Sequence, residues 1–177
     1  MAKRQVTKDT PMEDIFDAFP SAPRVLFQRY HIGGCAGCGY EPSDSLEKVC
    51  AAHGISDLDQ VVQTILESQD LEARIQITAK DAAELWKRGE VKLLDVRGEE
   101  ERSLASIEGV PMIDQKMVRE ILDTWPKDTP IVFHCHHGIR SLDAATYFLG
   151  YGFTNVRSMA GGIDAWSGEV DSTVPRY

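Results

Sequence analysis

Cys135 lies at the end of a short apolar run, residues 131–134, and is followed by Gly138 and Arg140. Such a run is typical of a buried strand, and ligands of open parallel sheets bind beyond the carboxyl ends of the strands. A glycine loop there can turn several backbone N–H groups toward one anion, and a helix N-terminus and a guanidinium favour the same charge. We therefore expect the Cys135 thiol to be held as a thiolate, and a terminal persulfide on it to be stabilised in the same way.

Two other roles are open to this cysteine. A free cysteine at the end of a strand can be a small core side chain, but that role does not need the glycine and arginine that follow. Alternatively, Cys135 could bind a metal together with His134, His136 and His137, although adjacent loop residues do not easily converge on one tetrahedral ion. The pattern favours a nucleophile.

A second group of candidate residues lies earlier in the chain. Cys35 and Cys38 form a Cys-x-x-Cys pair in a glycine-rich loop, a spacing that redox dithiols use. Cys50 and His53 follow at a spacing that would complete a zinc site or an iron–sulfur ligand set. Cys50 also falls on the apolar face of a predicted helix, so a purely structural role remains an alternative for it.

The hydrophobic pattern divides the chain into two parts of different class. Residues 1–11 are expected to be a disordered tail, and residues 12–68 show helical spacing without a strand signal. The polar run 67–70 marks the expected linker, residues 69–74. In residues 75–177 short apolar runs alternate with helical patterns, which is typical of a parallel sheet flanked by helices. The predicted fold class is α/β, preceded by a small all-helical domain.

The elements follow from this spacing and from the positions of caps and turns. The predicted strands cover residues 75–77, 92–96, 131–134 and 155–157, and the predicted helices cover residues 15–19, 25–30, 46–50, 56–66, 78–86, 117–125, 141–149 and 163–166.

Composition and charge restrict the partners. The 28 acidic and 19 basic residues leave a net charge of -9, which argues against direct nucleic-acid binding. Every apolar run is shorter than the roughly 18 residues that a membrane span needs, and the basic first residues lack the apolar stretch of a secretory signal. We expect a cytoplasmic protein without membrane or nucleic-acid partners; its oligomeric state is left open.

Three motifs in residues 75–177 resemble those of a single rhodanese domain. They are the stretch Leu94-Asp95-Val96-Arg97, the loop from Cys135 to Ser141, and the stretch Gly161-Gly162-Ile163-Asp164-Ala165-Trp166. The resemblance implies a five-stranded parallel sheet. It also implies a sulfurtransferase that moves sulfane sulfur from thiosulfate or a persulfide donor to a thiol acceptor, either a small molecule or a protein. One departure is the segment 105–110, which lacks a histidine that many members carry there.

The resemblance assigns roles by position. Cys135 would be the nucleophile and persulfide carrier, with Arg140 as its catalytic cation. Asp95 and Arg97 would support the site from the neighbouring strand. The residues that would bind the substrate are His136, His137, Gly138, Ile139 and Ser141.

A rival class is phosphatase or arsenate reductase, which resembles rhodanese in fold and also uses a loop cysteine and arginine. Those enzymes carry one more residue between the two than the four that separate Cys135 from Arg140. The smaller ring of N–H groups suits a sulfur anion better than a tetrahedral oxyanion.

Residues 12–68 resemble a small helical domain known for a redox disulfide. This resemblance implies a redox role for Cys35 and Cys38, and we expect them to act as a resolving or sulfur-relay pair without a required cofactor. The alternative is a zinc or iron–sulfur module that uses Cys50 and His53 as further ligands, with the rhodanese domain as an accessory.

Overall fold

The computed structural model describes residues 6–33 and 40–177. The described residues form two compact units, which divide between Arg74 and Ile75. Each unit has its own cluster of buried apolar side chains.

Four helices form the described part of the first unit. They are α1 (Met12–Ala18), α2 (Ala22–Tyr30), α3 (Leu46–Ala52) and α4 (Leu58–Ile75). Their core includes the buried side chains of Met12, Ile15, Leu26, Leu46, Val61 and Ile65. The apolar spacing had predicted these helices, and the helical character of this region is confirmed.

The segment 6–11 is not the disordered tail that the sequence had predicted. Val6 is buried against the helical core, and the backbone N–H of Leu46 donates to the carbonyl of Thr10 at 3.0 Å. The segment is ordered because its backbone polar groups find partners on the stretch that leads into α3.

The expected linker, residues 69–74, is the last part of helix α4 rather than a break in the helix. This stretch is polar, but it contains neither glycine nor proline, so nothing in it interrupts a helix. One of its side chains also has a partner on α2, because Glu72 forms an ion pair with Arg24. The helix starts at an Asp57 cap, whose carboxylate accepts from the Gln60 N–H at 3.0 Å, and not at the expected Ser56.

The second unit is a parallel sheet flanked by helices, which confirms the predicted fold class. Its strands are β1 (Gln76–Ile77), β2 (Lys92–Asp95), β3 (Ile131–His134) and β4 (Val156–Met159), in the order β1-β4-β3-β2. The helices are α5 (Ala79–Lys87), α6 (Glu99–Leu104), α7 (Gln115–Thr124), α8 (Ile139–Gly150) and α9 (Gly162–Glu169). Within the described ranges, every helix is too short or too polar to serve as a transmembrane segment.

The sheet has four strands, and the expectation of five is corrected. The place beside β2 holds a single parallel bridge between Asp95 and Met112. Around it, the Asp95 N–H donates to the carbonyl of Pro111 at 2.9 Å, and the Ile113 N–H donates to the carbonyl of Asp95 at 2.8 Å. Pro111 has no N–H, which prevents it from extending the ladder as a strand residue would. Helix α6 is a further element that the spacing had not predicted.

The parallel arrangement brings the ends of β2, β3 and β4 to one edge of the sheet. Asp95 pairs in register with His134, the residue before Cys135. Helix α8 packs on β3 through the stacked rings of Phe133 and Phe148, whose centroids lie 5.1 Å apart. The loop between β3 and α8 is therefore anchored at both ends by buried apolar contacts.

Candidate active site

The loop from β3 to α8 surrounds the sulfur of Cys135. This residue is 1% exposed, so hydrogen bonds to its sulfur must come from polar groups of the protein rather than from bulk water. The N–H of Gly138 donates to Sγ at 3.1 Å, and the hydroxyl of Ser141 lies 3.6 Å from Sγ. Both groups belong to the start of the 12-residue helix α8, whose N-terminal end favours negative charge. The predicted placement of Cys135 at a strand end, before a helix, is what the structure shows.

Gly138 takes a conformation that only glycine adopts readily, with φ at 95°. A Cβ at this position would also lie 3.0 Å from the backbone nitrogen of Gly161. The glycine therefore lets the chain turn tightly enough for its own N–H to point at Sγ.

Helix α9 holds the loop from the opposite side. The N–H groups of Ile163 and Asp164 donate to the carbonyls of Cys135 and His136, at 2.8 and 3.2 Å. In a trans peptide the N–H points away from the C=O, so the same peptides direct their N–H groups away from α9. The first turn of α9 thereby fixes the orientation of the loop backbone.

This contact explains the Gly161-Gly162 motif. A Cβ on Gly162 would lie 2.3 Å from the carbonyl oxygen of His136 and 2.4 Å from that of Cys135. Any larger residue would push the loop off α9.

Two buried hydroxyls continue from the sulfur into the sheet. Ser141 lies 2.8 Å from Ser158, and the hydroxyl of Ser158 donates to the carbonyl of Gly138 at 3.3 Å. When Cys135 is protonated, its thiol can donate to the Ser141 hydroxyl, Ser141 can donate to Ser158, and Ser158 donates to the carbonyl of Gly138. With a thiolate, the two hydroxyls can rotate and donate in the reverse direction, so that Ser141 donates to sulfur. Ser158 was missed because a serine inside a strand carries no sequence signal.

Asp95 and Arg97 form a buried ion pair at the end of β2. The Nη2 and Nε atoms of Arg97 donate to the two carboxylate oxygens of Asp95 at 2.7 and 3.0 Å, and Nη2 also donates to the carbonyl of Ala105 at 2.9 Å. Burial raises the pKa of Asp95, but the hydrogen bonds from Arg97 and the neighbouring charges outweigh it and lower that pKa. The pair braces the segment after β2 beside the loop, where the sequence had placed the supporting residues.

His134, the last residue of β3, is fully buried, and its ring nitrogens have no hydrogen-bond partner among the described residues. Its Nε2 lies 3.8 Å from the Asp95 carboxylate. Burial lowers the pKa of His134 to about 4, although the Asp95 charge acts against this shift. The imidazole is therefore neutral at neutral pH. In the part of the chain that the structure describes, no group of three or more histidine, cysteine or acidic side chains is arranged to hold a metal ion.

Arg140, the predicted catalytic cation, forms a bidentate pair with Glu101 of α6. Its Nη1 and Nη2 donate to the two carboxylate oxygens at 2.6 and 2.7 Å. The hydrogen bonds from Arg140 lower the pKa of Glu101 to about 2, so this carboxylate is charged at neutral pH. Cys135 lies within electrostatic reach of the guanidinium, but both Nη atoms are engaged by Glu101.

Tyr177 completes one wall of the site. Its ring stacks on His136 with centroids 4.2 Å apart, and His136 stacks on His137 at 3.8 Å. The Tyr177 hydroxyl accepts from Nη1 of Arg97 at 2.7 Å and donates to Glu101 at 3.1 Å. Tyr177 and Glu101 are not among the site residues that the sequence predicts. For Glu101, the acidic run directly after the Asp95–Arg97 motif was an available signal; for Tyr177 there was none.

Among the remaining predicted substrate-binding residues, Ile139 is 66% exposed at the first position of α8, directly after Gly138. It therefore presents an apolar side chain to solvent beside the loop.

The N-terminal candidates separate into two groups. Cys35 and Cys38 lie outside the described residues. Cys50 is buried in the core of the first unit, and burial raises the pKa of its thiol. The Nδ1 atom of His53 lies 2.9 Å from the carbonyl of Val49, so this ring closes the end of α3.

Comparison with known proteins places the second unit in a family. Residues 78–169 match the rhodanese-like domain. The thiosulfate sulfurtransferase GlpE of Pseudomonas paraeruginosa is 33% identical over 91 residues, which cover 51% of this chain and 82% of that protein. GlpE of Actinobacillus succinogenes is 32% identical over 91 residues, with the same coverage of 51% and 82%.

Two solved structures are also similar to part of this chain. A rhodanese-related protein of Thermoplasma volcanium is 30% identical with a TM-score of 0.43, covering 54% of this chain and 92% of that one. The human single-domain sulfurtransferase TSTD1 is 23% identical with a TM-score of 0.48, covering 54% and 96%. From the match over residues 78–169, the chain belongs to the rhodanese-like domain family.

Proposed function

We propose that this protein is a rhodanese-type sulfurtransferase that carries sulfane sulfur as a persulfide on Cys135. It would take this sulfur from thiosulfate or a persulfide donor and pass it to a thiol acceptor. Membership of the rhodanese-like family and the similarity to thiosulfate sulfurtransferases support this enzyme class. The observation that carries the proposal is the N–H of Gly138, which points at Sγ from a loop held in place by α9.

In the first half-reaction, the Cys135 thiolate attacks the sulfane sulfur of the donor. A new S–S bond forms, the S–S bond of the donor breaks, and its electron pair leaves with a thiolate or, from thiosulfate, with sulfite. The product persulfide is an anion when deprotonated, and the end of α8 favours that charge. No oxidant or reductant is consumed.

In the second half-reaction, a thiolate of the acceptor attacks the terminal sulfur of the persulfide, and Cys135 leaves with the electron pair. The leaving sulfur regains its hydrogen bond from Gly138 and can receive one from Ser141. These donors are in place before the reaction, which lowers the cost of developing negative charge on sulfur.

The arrangement of Arg140 supports sulfur transfer over phosphatase or arsenate reductase chemistry. In those rival reactions the cysteine attacks the phosphoryl group or arsenate itself, and a bidentate guanidinium stabilises that oxyanion. Here the guanidinium of Arg140 is bound to both carboxylate oxygens of Glu101.

Intact mass after incubation with a sulfur donor tests the proposal. The wild-type protein should gain one sulfur atom, which an acceptor thiol removes, and Cys135→Ser should gain none. Cys50→Ala is the matched control, because Cys50 is equally buried but lies in the helical core of the first unit; it should load sulfur like the wild type. Sulfur loading of Cys135→Ser, or no loading of the wild type, would refute the assignment.

As part of the same proposal, we infer that Cys35 and Cys38 act as a resolving or relay pair in a cytoplasmic protein, without a required cofactor. Their Cys-x-x-Cys spacing supports this role. Thiol titration with elemental analysis tests it on protein purified without oxygen. Joint oxidation of the two thiols in metal-free protein is the expected result. Stoichiometric zinc or iron, lost in Cys35→Ser, would favour the metal-binding alternative instead.

A further inference from the structure

We propose that Glu101 sets the donor specificity of the Cys135 site: by occupying Arg140, it selects against doubly charged donors such as thiosulfate and for persulfides with a single negative charge. This inference rests on the proposed sulfur transfer and deepens it. It follows from the charges around the loop, taken one by one.

The first observation is the pair itself. Glu101 accepts from both Nη atoms of Arg140, at 2.6 and 2.7 Å, so the guanidinium in the first turn of α8 is paired with a carboxylate. The Arg140 side chain is 47% exposed and that of Glu101 is 28% exposed, so a ligand can approach the pair from solvent.

The second observation is that Glu101 is held from another side as well. The Tyr177 hydroxyl donates to Oε1 of Glu101 at 3.1 Å and accepts from Arg97 at 2.7 Å. Arg97 is in turn locked to the buried carboxylate of Asp95. Glu101 is therefore attached to the rigid end of β2, and an incoming anion must break these contacts to displace it.

The third observation is that the other nearby arginines are also engaged. Arg97 and Arg102 share the carboxylate of Asp95, at 2.7 and 3.5 Å, and Arg176 pairs with Asp164 at 2.6 Å. The N–H of Asp164 binds the loop at the carbonyl of His136, which places this second pair beside the loop. The two carboxylates therefore offset part of the attraction that these three cations have for a dianion.

The effect of this arrangement on a sulfur donor depends on the charge of the donor. Thiosulfate brings two negative charges and releases sulfite, which also carries two; a persulfide brings one at most and releases a thiolate. Thiosulfate must either displace Glu101 from Arg140 or bind beside a carboxylate of its own sign. A persulfide needs only the N–H and hydroxyl groups around Cys135.

Steady-state kinetics of Glu101→Gln with two donors tests the inference. The donors are thiosulfate and the persulfide of N-acetylcysteamine, whose only charge is on its terminal sulfur. Glutamine keeps the shape and one oxygen acceptor for Arg140 but removes the charge. We expect KM for thiosulfate to fall about tenfold, as the loss of one nearby like charge at a partly exposed site predicts, and KM for the persulfide to change less than about twofold.

Two further variants separate charge from packing. Glu101→Asp keeps the charge and should retain the wild-type preference, whereas Glu99→Gln removes an exposed charge from the same helix and should change neither KM. The preference in Glu101→Gln should also weaken with added salt, because screening reduces the attraction of Arg140 for thiosulfate. The inference is wrong if Glu101→Gln loads Cys135 with sulfur but keeps the wild-type ratio of the two KM values. It is also wrong if Glu101→Asp lowers KM for thiosulfate as much as Glu101→Gln does. In both cases the proposed sulfur transfer stands. Failure of both donors to load the wild type would instead overturn the proposed function.

Discussion

The carbonyl oxygen of Cys135 accepts a hydrogen bond from the N–H of Ile163, at 2.8 Å, across the gap between the loop and α9. The backbone of Cys135 is thereby hydrogen-bonded to a helix that begins 27 residues later in the chain. The contact requires two backbones to approach closely, and Gly162 is the residue that allows it. The geometry of the site depends on this approach as much as on the loop itself.

Gly162→Ala should damage both the fold and the site. The new Cβ would lie within 2.4 Å of two carbonyl oxygens, and φ at this residue is 58°. A clash with backbone cannot be relieved by a side-chain rotation, so we expect a loss of about 2–4 kcal/mol in the free energy of unfolding. Sulfur loading of Cys135 should fall with it. Urea denaturation and intact mass measure the two effects.

Gly168→Ala is the control for this substitution. Gly168 lies on the same helix, and a Cβ there would meet no heavy atom within 4 Å. Alanine is the better helix former, so the stability of this variant should be unchanged or higher. Equal stability of the two variants would show that the loop does not depend on the close approach to α9.

Ser141→Ala should slow the chemistry of Cys135 without removing it. The variant loses the hydroxyl that can donate to a thiolate, while the N–H of Gly138 remains. We expect the rate of Cys135 alkylation by iodoacetamide at neutral pH, and the rate of sulfur loading, to fall about three- to tenfold. Ser103→Ala, at an exposed position on α6, should leave both rates unchanged. Wild-type rates in Ser141→Ala would mean that the Ser141 hydroxyl does not stabilise the Cys135 thiolate.

Asp95→Asn should destabilise the second unit strongly. It leaves the guanidinium of Arg97 without its charged partner in a place where both side chains are at most 1% exposed. Breaking a buried pair in this way costs about 3–5 kcal/mol. Asp164→Asn removes the partner of Arg176 at the surface and should change the urea midpoint little. Similar effects of the two substitutions would contradict the role of the buried pair as a brace.

Stability should decrease as the pH falls from about 6.5 to about 4, because of His134. Its pKa is about 4 in the folded chain and close to 6.5 when unfolded, so within this window the unfolded state binds more protons. The full shift corresponds to a loss of about 3 kcal/mol over the window. The negative charge of Asp95 favours the protonated imidazole of His134 and relieves part of this cost. The positive charges of Arg97 and Arg102 disfavour the protonated imidazole and add to the cost.

Urea midpoints at pH 7 and pH 5 measure this effect. His134→Leu removes the titrating group and should flatten the dependence. His31→Asn is the control, since it removes an exposed histidine at a left-handed position that asparagine tolerates, and it should keep the wild-type slope. An unchanged slope in His134→Leu would assign the acid sensitivity to another group.

Much of the site could be predicted because it is local in the chain. An apolar run, then Cys135, a glycine and a helical pattern determine a strand, a tight loop and a helix N-terminus by rules that act over a few residues. The alternation of strands and helices likewise determined the parallel sheet. The same local rules gave a wrong prediction for residues 69–74, because a polar stretch without glycine or proline is compatible with a linker and with an exposed helix.

What the sequence alone determined is therefore the position of Cys135 at the end of a strand, the loop that faces it and the class of fold. Only the tertiary structure decided that Arg140 binds Glu101, that Tyr177 joins Glu101 to Arg97, and that a fifth strand shrinks to one bridge at Met112. These outcomes depend on which partners the packing of α6, the sheet and the last residues brings within hydrogen-bond distance. A guanidinium binds whichever carboxylate lies in reach, and no spacing along the chain specifies a partner 39 residues away.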